Sequence, residues 1–479
     1  MSKRMMSPTL IDQLRAIVGH DGLVAHDSEL RVYECDGYTL EKSTPQVVAL
    51  PKSTAEISAM LKLLHREQVA FVPRGAGTGL SGGCLPLAAP VMVCTSRMKR
   101  IVSIDIANRR ATVEAGVVNL AVTNAVKQHG LYYAPDPSSQ QACTIGGNVA
   151  ENSGGPHTLK YGVTTNHVLG VELVLPNGEV VQLGSAAEDV PGYDLVGLAV
   201  GNEGTFGIVT QATLRLSRQP EAWKTLLAIF ESVDDATQTV SGIIAAGIVP
   251  AALEMMDRLI VEAVEAAYRF GFPTDAGAVL IVELDGLAAG LDQQAQRVFE
   301  VCRANRARDV HLAKDEAERA ALWKSRKRAF GAVGRLAPSY CTQDGVVPRT
   351  KLPDILRAIT RIGEHHRLRI ANVFHAGDGN IHPILLYDER DADETQRVLA
   401  AGREILEACV ALGGSVTGEH GIGIEKVQQM PLIFSPTDLL VMQQLRKVFD
   451  PEQRCNPGKI FPTPGVCVET TRPKRRAAM

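Results

Sequence analysis

Apolar positions along the chain change spacing several times. Leu10, Ile11, Leu14, Ile17 and Val18 recur at helical intervals after the helix-start pair Ser7-Pro8. An α/β stretch follows, with a strand at 47–50, a helix at 54–67 capped by Ser53, and a strand at 70–72. From 91 to 216 the pattern shortens to β-branched strands at 91–94, 110–114, 168–175 and 207–216, with few and short helices between them. After Pro220 strands at 226–230, 251–255 and 278–284 alternate with helices at 236–246, 258–269 and 291–303. That order predicts a split α/β sandwich, one sheet with helices on a single face. A long helix at 314–333, a helix at 355–365, a strand–turn–strand around 378 and a last helix at 436–449 complete the pattern. The change near 218 marks the main domain boundary.

Composition narrows the class. A chain of 479 residues with 45% hydrophobic and 22% charged positions has room for two or three buried cores and excludes disorder over most of its length. Lys+Arg 50 against Asp+Glu 53 leaves no field that would favour nucleic acid or an anionic membrane. The basic run 472–476 lies in a polar tail, 465–479, expected to be disordered. No stretch approaches the roughly 18 apolar residues of a membrane span, and the start MSKRMMSPTL lacks an apolar signal core, so a cytoplasmic protein is expected. The nine cysteines are scattered without CxxC spacing, which predicts free thiols and no cysteine-ligated cluster.

The 43 glycines are about 9% of the chain against a usual ~7%, and they cluster. In Arg74-Gly75-Ala76-Gly77-Thr78-Gly79-Leu80-Ser81-Gly82-Gly83, alternate glycines let successive N–H groups point into one concavity, an anion nest suited to a pyrophosphate. The cluster matches both GxGxxG and GxSxG, but both need a helix to open there, and Pro86 and Pro90 lead into a strand instead. A second cluster runs from Pro135-Asp136-Pro137-Ser138 through Thr144-Ile145-Gly146-Gly147-Asn148 to Ser153-Gly154-Gly155, a proline turn joined to a small-residue helix start. A third, Gly201 to Val209, enters a strand. Together the three loops suggest a long cofactor laid across one domain.

These clusters resemble the FAD-binding domain of the vanillyl-alcohol oxidase superfamily, over roughly residues 45–218. The resemblance implies an α+β fold, with a PCMH-type FAD-binding domain over 1–218 and a ferredoxin-like α/β substrate cap over 219–430. Residues 431–479 would form a C-terminal helix and loop that return to the FAD domain. It further implies that Arg74, Gly75, Ala76, Gly77, Thr78, Gly79, Ser138, Thr144, Gly147, Asn148, Ser153 and Ile208 line the cofactor. Some members bind FAD covalently through histidine; the first loop has none, so non-covalent FAD is expected.

The histidine chemistry lies after the boundary. His375 and His382 flank the tight turn Gly377-Asp378-Gly379, which folds the chain back so that both can face one site. Glu419 and His420 sit between glycines in Gly418-Glu419-His420-Gly421. His375, His382 and Glu419 would make a His₂-carboxylate site for a borderline divalent metal such as zinc, leaving His420 as a base. His20, His65, His129, His365 and His366 read as ordinary surface or core histidines.

His-x-Gly-Asp-Gly-Asn-x-His, Gly-Glu-His-Gly and Asn456-Pro457-Gly458-Lys459 resemble the D-2-hydroxyacid dehydrogenases, a family of D-lactate, D-2-hydroxyglutarate and glycolate enzymes. The resemblance implies a metal at His375, His382 and Glu419, a catalytic His420, and Asn456 close to the flavin. Trp323-Lys324-Ser325-Arg326 matches the segment whose arginine clamps the substrate carboxylate, which assigns that role to Arg326. Where the hydroxyglutarate branch carries a further polar residue, this chain has Phe330, Thr342 and Ile384, which favours a short substrate because a second carboxylate would be left unpaired. The motifs around 328–349 look closest to the glycolate branch.

The reading that follows is oxidation of a short D-2-hydroxy acid, glycolate or D-lactate, by hydride transfer to FAD. Electrons would pass to a quinone carrier or to flavin-like and iron–sulfur partner subunits of the kind glycolate oxidases use. Those partners could hold the chain at the inner membrane, and a homodimer is compatible with the sequence. A stand-alone D-lactate dehydrogenase, a D-2-hydroxyglutarate dehydrogenase, a metallohydrolase using the His₂-Glu site and a non-catalytic flavin-binding partner remain as alternatives.

Overall fold

The computed structural model describes residues 6–187 and 191–462. The tail 465–479 and Cys467 lie outside them. In the first half, the parallel strands Val47–Ala49, Val91–Cys94 and Phe71–Arg74, with Leu23–Val24 antiparallel at one edge, form a four-stranded sheet. Helix Thr54–Arg66 packs on it, and Ser53 caps that helix by accepting the Glu56 N–H at 3.2 Å. A second, antiparallel sheet orders Ile101–Asp105, Arg110–Glu114, Ile208–Arg215, Val168–Val174 and Val180–Gly184. The glycine-rich helix Ile145–Glu151 lies against this sheet, with Ile145 and Val149 in the shared core. The first glycine loop, which follows strand Phe71–Arg74, meets the second at the start of this helix, Gly75 against Thr144 and Gly147.

The second half is built on one antiparallel sheet of eight strands. Its main path runs Asp309–Leu312, Ala222–Phe230, Ala278–Gly286, Ala252–Asp257, Arg369–His375, Asn380–Tyr387, Ser339–Thr342, with Gly345–Val346 also pairing Asn380–Tyr387. The expected single covered face is corrected here, because helices cover both. Leu226, Ala228 and Phe230 pack with helices Val233–Ala245, Leu291–Ala304, Leu352–His366 and Ala392–Ala411. The alternate residues Leu227 and Ile229 pack with helices Arg258–Tyr268, Glu316–Lys327 and Ala329–Val333. Strands buried on both faces read as unbroken apolar runs, which hides the alternation that would reveal a second layer.

Two helices depart from expectation. The helix predicted at 314–333 breaks at Arg328 into Glu316–Lys327 and Ala329–Val333, and the Arg328 guanidinium sits 5.0 Å over the Tyr268 ring. Ala392–Ala411, at 20 residues, is additional to the predicted elements. The last helix, Pro436–Phe449, starts on a Ser435–Asp438 capping box and ends with Phe449 stacked 4.3 Å from Phe206 of the first half. Cys455 then bridges to Phe71, and Asn456 N–H donates to the Phe71 carbonyl at 2.8 Å. Contact with the first half is also made upstream, as where Ile424 N–H donates to the Ser81 carbonyl at 2.9 Å. The eight described cysteines are all free thiols. Among the described residues no helix is long and apolar enough to cross a membrane.

Candidate active site

Sheet register places the histidines. Between strands Arg369–His375 and Asn380–Tyr387, Val373 pairs with His382 and His375 with Asn380, so both imidazoles project from the same face. The tight turn depends on Gly379, at φ +82°, where a Cβ would lie 2.0 Å from the Val347 carbonyl oxygen. The neighbouring strand sets Glu254 opposite His375, and Glu254 Oε1 lies 2.7 Å from His375 Nδ1. That contact turns His375 Nε2 toward Glu419 Oε1, at 3.1 Å, and His382 Nε2 reaches the same oxygen at 3.3 Å. One ligand atom from each of His375, His382 and Glu419 lies within 4.8 Å of the others.

The electrostatics of this trio favour a cation. Burial pushes the His375 imidazole down, but the Glu254 and Glu419 carboxylates outweigh it and carry His375 well above its ordinary value. Burial raises Glu419, yet His375 and His382 hold it well below the usual carboxylate range. Two imidazoles and a carboxylate converging on one point, with an acid behind one imidazole, form a donor set that fits a divalent metal such as zinc. The His420 ring stacks on His382 at 4.9 Å and 4°. Burial pushes His420 down to about 4, so it is a neutral imidazole, and its buried Nδ1 has no hydrogen-bond partner.

Arg326 is not on the cavity wall. On helix Glu316–Lys327, Arg319, Trp323 and Arg326 share one stripe at i, i+4, i+7, and this stripe faces a row of acids on the sheet. Arg319 donates twice to Glu283 at 2.9 Å, Trp323 Nε1 donates to Glu283 at 2.5 Å, and Arg326 Nε lies 2.6 Å from Glu254 Oε2. Arg326 is 1% exposed, and its two terminal nitrogens have no hydrogen-bond partner. The next residue, Lys327, does line the cavity, as do Phe330 and Thr342, whereas Ile384, on the same face of the sheet as His382, is buried in the core and off the cavity wall.

The glycine loops and the histidine site border the same cavity, of about 360 Å³. Its wall holds Gly75, Ala76, Gly77, Thr78, Gly79, Ser138, Thr144, Gly147, Asn148 and Ser153 together with His375, His382, Glu419 and His420. A smaller cavity of about 80 Å³ holds the rest of the predicted cofactor residues, Arg74, Ile208 and Asn456, and shares Gly75 and Gly147 with the first. The fit to a dinucleotide is steric as well as polar. A Cβ on Gly75 would come 2.7 Å from Thr144 Oγ1, and that hydroxyl is buried without a partner. Sequence reasoning missed Glu254, whose strand reads as plain core, and Glu203 and Asp344, which lie in loops and act on backbone groups.

Comparison with known proteins agrees with this geometry. Residues 45–184 match the family described as "FAD binding domain" and residues 219–460 the family "FAD linked oxidases, C-terminal domain". The chain is 48% identical over 443 residues to "Glycolate oxidase subunit GlcD" of Escherichia coli (strain K12), covering 92% of this chain and 89% of that one. It is 41% identical to the protein of that name from Bacillus subtilis (strain 168), covering 95% and 97%, and 30% identical to "D-lactate dehydrogenase" of Anaerostipes hadrus, covering 95% and 98%. Among solved structures, substrate-bound p-cresol methylhydroxylase superposes with a TM-score of 0.81 at 16% identity, covering 94% of this chain and 96% of that one. The 4-ethylphenol oxidase of Gulosibacter chungangensis gives 0.77 at 18%, covering 96% and 99%. The chain therefore belongs to the FAD-linked oxidases of the vanillyl-alcohol oxidase superfamily, and it is an FAD-linked oxidoreductase.

Proposed function

We propose that this chain oxidises a short D-2-hydroxy acid, glycolate foremost and D-lactate next, to the 2-oxo acid. The observation that carries the reading is the single cavity bordered by glycine loops on one side and by His375, His382, Glu419 and His420 on the other. The two most identical relatives cited above carry glycolate oxidase names, and the 30% relative a D-lactate dehydrogenase name. The division proposed is an FAD domain up to about 218, a cap, and a C-terminal segment that returns to the FAD domain.

Bound without a covalent link, FAD would supply the two-electron oxidant for the C2 hydride, and a divalent metal on His375, His382 and Glu419 would supply Lewis acidity toward the substrate's oxygens. The protein's own part is positioning and proton transfer. Glu254 orients His375, and neutral His420 takes the hydroxyl proton as C2 is oxidised. Arg326, held behind the donor set by Glu254, is the proposed carboxylate anchor: its two terminal nitrogens are buried without partners, which an anion would satisfy. Phe330 puts an apolar ring on the wall at a position where a polar side chain would serve a second carboxylate, which favours short substrates over hydroxyglutarate. With the eight described cysteines all free thiols and no CxxC spacing in the sequence, onward electron transfer falls to a partner subunit or a quinone carrier.

Anaerobic mixing of the flavin-loaded protein with a panel of 2-hydroxy acids of both hands tests this reading. Bleaching of the flavin band by glycolate or D-lactate is expected. Bleaching by D-2-hydroxyglutarate at a higher kcat/KM than by either would overturn the short-substrate reading, and no bleaching by any 2-hydroxy acid would overturn the substrate class.

A further inference from the structure

The loop that carries Glu419 and His420 is held from both domains by buried carboxylates. From the cap, Asp344, fully buried, accepts the Thr417 hydroxyl at 2.6 Å and the N–H groups of Gly418 and His420 at 3.0 Å and of Glu419 at 3.3 Å. From the FAD domain, Glu203 accepts the N–H of Ile422 at 2.7 Å with one oxygen and that of Gly423 at 2.6 Å with the other. Lys426, also fully buried, supplies a cation: its Nζ lies 3.3 Å from Asp344 Oδ2 and donates to the Gly421 carbonyl at 3.2 Å. The loop must be glycine at 421, where φ is +83° and a Cβ would come 2.6 Å from Glu151 Oε2 and 2.9 Å from Glu203 Oε1. Each of the seven consecutive residues 417–423 thus has a polar group held by Asp344, Lys426 or Glu203.

Glu203 is tied to the cofactor side as well. It sits in the third glycine loop at φ +51°, a left-handed conformation uncommon for a side chain of this size. Its own N–H donates to the Ala150 carbonyl at 2.8 Å, and its carbonyl accepts Asn456 Nδ2 at 2.7 Å. Glu203 and Asn456 both border the smaller cavity. One residue therefore borders the cofactor cavity and holds the Glu419–His420 loop with its side chain, and these contacts together keep it in a strained conformation.

We propose that Glu203 is a positioning residue that couples the cofactor loop to the metal-binding loop, setting the reach of Glu419 and so the affinity for the divalent metal. This rests on the His375–His382–Glu419 metal reading above. Replacing the carboxylate by an amide presents an NH₂ to one of two N–H donors, so one of the Ile422 and Gly423 amides loses its acceptor and the loop loses a fixed point.

The test is zinc competition against a chromophoric chelator, with the flavin-loaded protein and its Glu203→Gln variant compared. Flavin absorbance reports that the cofactor domain is intact. Zinc affinity is expected to fall by about tenfold or more, within the 10–100-fold range of outer-partner substitutions, while the flavin stays bound. Equal zinc affinity in the two proteins overturns the proposal, whereas absence of zinc binding by the unsubstituted protein overturns the metal reading itself. Hydrogen exchange on the unsubstituted protein keeps the proposal testable if the variant does not fold. Zinc should slow exchange in peptides covering both 417–425 and 202–207. Protection confined to 417–425 means that Glu203 transmits nothing and the coupling is wrong.

Discussion

His420 and Glu254 stand at opposite ends of the same chain of contacts, and their substitution separates chemistry from assembly. His420→Ala should retain bound flavin and lose about 10²–10⁴-fold in the rate of substrate-driven flavin reduction, the usual worth of a positioned proton acceptor; stopped-flow absorbance measures it. Glu254→Gln should leave that proton acceptor in place but weaken metal retention about 10–100-fold, since Glu254 orients His375 from behind. Metal content after dialysis against a chelator reads the difference. Arg326→Gln should raise KM far more than Lys327→Gln, because only Arg326 is buried with two unpartnered donors; a larger effect at Lys327 would move the anchor to the cavity wall. His375, His382, Glu419 and His420 were legible from the sequence, through their spacing around glycine turns. Glu254 was not, because an acid in an apolar strand shows its partner only once the register is known.

At the scale of elements, the glycine loops carry the prediction. Gly75→Val should fold but lose flavin, because its side chain would meet Thr144 Oγ1 and the Gly147 backbone, at 2.7 and 3.5 Å from the Cβ alone. The ratio of flavin to protein absorbance checks it. Strand and helix positions here were largely readable: 91–94, 110–114 and 436–449 coincide with Val91–Cys94, Arg110–Glu114 and Pro436–Phe449. The helix Ala392–Ala411 buries Thr395, Val398, Ala401, Gly402, Ile405, Leu406 and Cys409, an i, i+3, i+4 stripe whose small and polar members dilute its hydrophobic contrast. The break at Arg328 has no proline or cap to announce it and follows from packing on Arg258–Tyr268.

Over the whole molecule, the two halves are latched by charge as well as by covalent continuity. His157 of the first half lies 2.9 Å from Asp136 and 3.5 Å from Glu283 of the second, stacked 5.2 Å from Trp323; Lys160 also pairs with Asp285, and the Tyr161 hydroxyl donates to it at 2.6 Å. Burial works against the charged imidazole, but Asp136 and Glu283 carry His157 from 6.5 up to about 10. Its contribution is therefore complete below about 6.5 and is lost as pH rises through about 10. Glu283, held down to about 2 by His157 and Arg319 despite burial, loses its contribution on the acid side, as pH falls from about 4.5. The thermal unfolding midpoint should accordingly fall from pH 7 to 10, and His157→Gln should flatten that alkaline decline. The sequence by itself determined the cofactor class and singled out His375, His382, Glu419 and His420, which the fold brings together, because glycine nests and turn-flanking histidines are local in the chain. Only the tertiary structure decided the two-faced cap sheet, the inward turn of Arg326 onto Glu254, and the suspension of the 417–423 loop between Asp344 and Glu203. Each of those depends on strand register and on contacts between residues 70 to more than 200 positions apart, which no local spacing encodes.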